Sequence, residues 1–93
     1  MVREEINKMI IKLSDKNELI NNLDKLKTTL NGALRIRKNL GISTTNVVDW
    51  CKTRIKAKGS SVKREGKNFY VTANGYIITI NSSSFTIITA HVL

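Results

Sequence analysis

The sequence contains no proline, a single cysteine and a single histidine. Cys51 alone cannot close an internal disulfide. With His91 as the only histidine, the chain cannot assemble the four Cys/His ligands of a structural zinc site. No proline and only five glycines point to short turns rather than long linkers. Apolar runs are short, such as Met9-Ile10-Ile11 and Tyr76-Ile77-Ile78, against the roughly 18 residues of a membrane span. The start, Met1-Val2-Arg3-Glu4-Glu5, lacks the basic-then-apolar layout of a signal peptide. We therefore expect a cytoplasmic protein in a reducing compartment, without membrane contact, metal or cofactor. Carboxylates are scarce beyond residue 31, where only Asp49 and Glu65 occur. A two-carboxylate metal nuclease is thus poorly supported. Neither a phosphate-cradling glycine loop nor a serine-nucleophile motif is present.

What the chain does have is positive charge, in one place. Its 93 residues carry a net charge of +9 and suffice for one domain. Residues 1–31 hold six basic and five acidic groups, residues 32–68 hold ten basic and two acidic, and residues 69–93 hold none of either. Zoning of this kind points to a polyanion, RNA first, or to a protein with an acidic surface. The plainer reading is a solvated, soluble face.

Periodicity predicts an α+β fold with about four N-terminal helices and then a four-stranded antiparallel meander. One domain spans 1–93, as a helical extension (1–26), basic helices (27–59) and a sheet (60–93). Residues 3–13 repeat Ile6, Met9, Ile10 and Leu13 at helical spacing. Asp15 and Glu18 resemble a capping box for a second helix, striped by Leu19, Ile20, Leu23 and Leu26. Thr28 or Thr29 caps a third, running to about Asn39 before Gly41, with Leu30, Ala33, Leu34 and Ile36 apolar. Ser43-Thr44-Thr45 opens a fourth over about 46–58, burying Val47, Val48, Cys51 and Ile55. Its outer surface carries Lys52, Arg54, Lys56 and Lys58. Trp50 reads as core, and Cys51 as a small core residue rather than a reactive thiol.

Beyond Gly59 the period becomes two. Strands are expected at 61–65, 69–73, 76–81 and 85–91, with turns at Gly66-Lys67, Asn74-Gly75 and Ser82–Ser84. Asn-Gly suits a two-residue type I′ turn. That turn pairs Ala73 with Tyr76, Val71 with Ile78 and Phe69 with Ile80 on the core face. Tyr70, Thr72, Ile77 and Thr79 then face outward. The last strand has two registers. A three-residue loop puts Thr86, Ile88 and Ala90 inside and Phe85, Ile87, Thr89 and His91 outside. A two- or four-residue loop inverts this. We take the first, which keeps Thr89 and His91 out of the apolar layer and makes a face of Tyr70, Thr79, Thr89 and His91.

The candidate nucleic-acid-binding residues are Arg35, Arg37, Lys38, Lys52, Arg54, Lys56, Lys58, Lys63, Arg64 and Lys67, because phosphate binding needs several cations. An exposed Tyr70 could stack a base. Metal-independent RNA cleavage needs a base, an acid and a cation at the developing charge. His91 fits one proton-transfer role, since histidine exchanges protons near neutrality. Tyr70 is the candidate for the other, and Arg37, with Arg35 and Lys67 as alternatives, for the charge. The structural readings of His91 and Tyr70 are an exposed polar residue and an ordinary strand aromatic.

The stretches L-K-T-T, R-I-R-K-N-L, V-V-D-W-C-K, R-E-G-K-N-F-Y and F-T-I-I-T-A-H, between Leu26 and His91, resemble a small bacterial family catalogued as domain of unknown function 3781. The layout is also similar to toxin-like nucleases of the barnase–EndoU–colicin–RelE superfold, through Arg37–Ser43 at a helix end and Thr86–His91 in the last strand. That resemblance implies helices before a meander and, by analogy, RNA cleavage. Lys27 stands where it leads one to expect a histidine, and Ser82–Ser84 where it leads one to expect an aromatic. Loss of a catalytic histidine would leave binding without cleavage. Two functions follow. One is a nucleic-acid-binding protein of toxin-nuclease-like architecture, with metal-independent ribonuclease activity as its enzymatic form. The other is a phage-type or mobile-element inhibitor whose basic face blocks a nucleic-acid-handling enzyme, with the N-terminal extension as a dimer or partner helix.

Overall fold

Asn74 and Gly75 both take positive φ, 53° and 82°, as a type I′ turn requires. The computed structural model, which describes residues 15–93, builds its sheet outward from this turn. Strands β1 (Ser61–Glu65), β2 (Asn68–Ala73), β3 (Tyr76–Asn81) and β4 (Ile87–Val92) lie in the order β1-β2-β3-β4, all antiparallel. Ala73 pairs with Tyr76, Val71 with Ile78 and Phe69 with Ile80, the register the turn predicts. Phe69, Val71, Ile78 and Ile80 are fully buried on one face.

Residues 15–21 are helical (α1) and lead into a 3-10 turn at Leu23–Lys25. Then come α2 (Leu30–Leu40) and α3 (Val47–Lys56). The described residues thus hold three α-helices rather than about four. The helix expected over 3–13 falls outside the described residues. The helix expected to run through Leu26 stops early. The Asn22 side chain donates to the Glu18 carbonyl at 2.8 Å, and Asn22 N–H turns to Leu19, so the helical ladder tightens and ends. Leu19, Leu23 and Leu26 are buried as expected.

The third expected helix is capped by Thr29, whose hydroxyl accepts from Gly32 N–H at 2.9 Å, and closed by Gly41 at φ 65°. Its buried side is different from the one expected. Gly32, Ile36 and Leu40 face the core, while Leu30 and Leu34 are 87% and 59% exposed. The reason is long-range. Lys27 pairs with the start of β4, donating to Phe85 and accepting from Ile87 N–H. That bridge fixes the rotation at which the chain enters α2. Asn46, not Ser43-Thr44-Thr45, caps α3. Its Oδ1 accepts from Asp49 N–H at 2.9 Å and its amide donates to the Asp49 carboxylate at 2.8 Å. Val47, Cys51 and Ile55 are buried and Val48 is half-buried.

The last strand follows neither register along its whole length. Ala90 faces the core, with Thr89 and His91 on the other face, as preferred. Nearer the loop, Phe85 and Ile87 are buried and Ile88 is 40% exposed, the inverse of the preferred register. A bulge explains both. Thr79 pairs with Thr89 but Ile80 pairs with Ile87, so Ile88 is the extra residue. One inserted residue flips side-chain parity across it. The strand proper starts at Ile87, because Phe85 sits at φ 56° at the end of the Ser82–Ser84 loop.

Candidate nucleic-acid interface

The helices of the described residues pack on one face of the sheet. The core cluster joins Leu19, Ile36, Cys51 and Ile55 to Phe69, Val71, Ile78 and Ala90. The opposite face presents a register row across all four strands: Lys63, Tyr70, Thr79 and Thr89. The face expected from Tyr70, Thr79, Thr89 and His91 therefore exists. Thr79, at its centre, is buried.

Tyr70 and His91 share this face without meeting. His91 is level with Ile77 and Thr72, while Tyr70 is level with Thr79. Two strand spacings across and two residues along put their Cα atoms about 12 Å apart. The Tyr70 hydroxyl lies 3.3 Å from the Asn68 side-chain amide, which donates to it. It therefore leans toward the end of β2 away from His91. Arg37 is on neither side of this pair. It is half-buried and reaches toward the Thr44 carbonyl, 3.5 Å away, in the loop before α3. Asn39, two residues on and so about 200° around the helix, reaches Thr89 Oγ1 at 3.5 Å. Arg35, one turn before Asn39, shares its flank and is exposed. The structure thus brings Arg35 to the border of the outer sheet face and turns Arg37 away.

The other cations form a rim. Lys56 and Lys58 sit at the end of α3, before β1. Lys67 sits in the turn after it, and all three are exposed. The five residues of β1 separate these ends by about 17 Å. Lys63 pairs with Glu65 at 3.5 Å and Arg64 with Glu18 at 3.8 Å. Among the described residues, the remaining candidate cations have no carboxylate partner. Lys38 is exposed and Lys52 is half-buried.

Arg54 departs from the expected outer basic surface. Its guanidinium lies 4.6 Å from the Trp50 ring centre and 5.9 Å from that of Tyr76. The two rings meet edge-to-face at 5.1 Å. Its Nε is buried and has no hydrogen-bond partner among the described residues. Half-buried Trp50 packs against the core. Sequence reasoning missed this cluster, although the i, i+4 spacing of Trp50 and Arg54 was available as a signal. Cys51 is buried, as expected of a core residue. Burial pushes its thiol up to about 12, with the nearby Arg54 charge opposing in part. It is not a thiolate at neutral pH.

Among the described residues the surface carries no pocket. No group of three His, Cys, Asp or Glu side chains there could hold a metal ion. No described helix is long and apolar enough to cross a membrane.

A family model described as a protein of unknown function, DUF3781, matches residues 20–91. The chain belongs to this family. No curated protein matches it, and no solved structure does. The match begins within α1, so Asp15, Lys16 and Glu18 lie outside it. Every candidate interface residue except the Glu18 partner of Arg64 lies inside. The family's description assigns no activity.

Proposed function

We propose that this DUF3781 protein is a small cytoplasmic nucleic-acid-binding protein whose ligand is RNA. The observation that carries this reading is the spacing of its exposed cations. Arg35, Lys38, Lys56, Lys58 and Lys67 are exposed and without carboxylate partners among the described residues. Lys56 and Lys58 at one end of β1 and Lys67 at the other stand about 17 Å apart, farther than a single phosphate could bridge. A polymer of phosphates meets such a rim, each contact releasing a counterion. The resemblance of the sequence layout, helices before a meander, to toxin-like nucleases would imply the same class of ligand by analogy. The geometry supports holding RNA better than cutting it, because Tyr70, His91 and Arg37 do not surround one point.

Titration of a labelled RNA at several salt concentrations tests this. Affinity should fall steeply, with a log–log slope of about 0.7 for each phosphate contacted on a single strand. Salt-independent binding, or none at low salt, would sink the reading.

A second reading has its own observation. Leu30 and Leu34 lie one turn apart and exposed on α2, with Lys38 a turn further on. RNA has little use for two leucines, whereas a partner protein with an apolar, acid-rimmed groove does. That would suit an inhibitor-like role against a nucleic-acid-handling enzyme. A stoichiometric protein partner recovered without RNA, and lost in Leu34→Asp, would favour it.

A further inference from the structure

Strand alternation leaves the outer face of the sheet with an uncharged centre. Tyr70 and Thr79 stand side by side there, with Thr89 on the next strand. Ile77 is half-buried beside them, yet it does not belong to the core cluster or to the residues packed against it. The helices bury their apolar stripes on the other side. Cations border this centre on both sides. Lys63 is in register with Tyr70 on the β1 side, and Lys67 lies in the turn beyond. On the β4 side, Asn39 approaches Thr89 and Arg35 stands one turn back. Among the described residues, Glu65 is the one side-chain carboxylate on this face, and it is paired with Lys63.

Each part of this arrangement matches one part of an unpaired nucleotide. An aromatic ring at mid-sheet offers a stacking surface to a base. The half-buried Thr89 offers its hydroxyl to a base edge, while Thr79 beside it is buried. Rim cations meet the phosphates on either side. A duplex hides its base faces and would touch only the rims. Asn68 donating to the Tyr70 hydroxyl holds the ring in one lean along β2, which lowers the ordering cost of stacking.

We infer that the outer face of the sheet is a platform for single-stranded RNA, with Tyr70 as the stacking ring. This inference rests on the RNA-binding reading and narrows it from the cationic rim to a sheet face and to unpaired strands. It gives Tyr70 a binding role in place of a proton-transfer one.

The test compares a labelled single-stranded RNA oligomer with the same sequence as a blunt duplex, by fluorescence anisotropy at one salt concentration. The wild-type chain should bind the single strand more tightly. Tyr70→Leu should weaken single-strand binding about tenfold, leave duplex binding unchanged, and keep the wild-type circular dichroism spectrum. Tyr70→Phe should keep most of the single-strand affinity, because the ring stacks and only the Asn68 hydrogen bond that orders it is lost. Equal affinities for the two forms, or undiminished single-strand binding by Tyr70→Leu, would overturn the platform and leave rim binding standing. Binding to neither RNA would overturn the platform and the underlying reading together.

Discussion

The carboxylate of Asp15 accepts a hydrogen bond from the backbone N–H of Arg64 at 3.1 Å. β1 is an edge strand, and that N–H points away from β2. Four residues earlier on the same side, just before β1 begins, the Ser60 carbonyl accepts from Lys16 Nζ at 2.9 Å. Two neighbouring residues of α1 thus occupy polar groups that an edge strand would otherwise offer to another chain. Both lie outside the family match, so this seal belongs to the chain's own N-terminal part. Asp15→Ala should cost about 1 kcal/mol of stability and raise self-association. Urea unfolding with light scattering at increasing protein concentration would check both effects.

Gly32 is hemmed in by its own cap. A Cβ there would stand 2.6 Å from Thr28 Oγ1 and 3.0 Å from Thr29 Oγ1. The first hydroxyl donates to the Ile87 carbonyl and the second accepts from Gly32 N–H. Alanine gains about 1 kcal/mol in helix propensity over glycine, so Gly32→Ala would stabilise an unconstrained helix. Here the clash should win by about 1–2 kcal/mol. Thermal unfolding should show a lower Tm. The double variant Gly32→Ala/Thr28→Ala should lose less than the two single losses combined.

The Cys51 thiol, pushed up to about 12 by burial, has a linked consequence. An unfolded cysteine ionises near 9, its unperturbed value, while the folded one keeps its proton. Its contribution is fully present below pH 9 and is lost as pH rises toward 12. Through that window it falls by about 1.4 kcal/mol per pH unit. Cys51→Ala removes the dependence, so its stability gap to wild type should shift by that slope between pH 9 and 11. Native protein should also resist a thiol-reactive disulfide that modifies the unfolded chain at once.

Arg54 sets two effects against each other. Its stacking on Trp50 and Tyr76 is worth about 1 kcal/mol. Its buried, unpartnered Nε costs about 1–3 kcal/mol. Arg54→Met keeps the stem against the rings and removes the orphan donor, so its Tm should be no lower than wild type. Arg54→Ala should lower Tm, and both changes should alter the emission of the only tryptophan. If Arg54→Met proves several degrees less stable, the cation over the rings outweighs the unsatisfied nitrogen.

Much of this architecture was legible where one short stretch decides it. The Asn74-Gly75 turn sets the β2–β3 register, since a two-residue loop leaves no slack and a period of two carries the phase along both strands. The stripe of Val47, Cys51 and Ile55 follows from helical spacing alone. The zoning of charge, and the absence of any charged side chain after Lys67, are properties of the chain itself.

Tertiary structure decided whatever depended on two distant stretches meeting. The bulge at Ile88 lies where β4 must both pair with β3 and take the Lys27 bridge, and no local pattern records that double demand. The same bridge rotates α2, burying Gly32 and exposing Leu30 and Leu34, although the sequence shows apolar residues at all the latter's neighbouring turns. Arg54 reads as one more surface cation until Tyr76 comes in from the sheet beside Trp50. Tyr70 and His91 were placed on one face by alternation. That they stand apart along it, with Arg37 turned toward another loop, came from strand pairing and helix rotation, because those set where side chains on separate elements point.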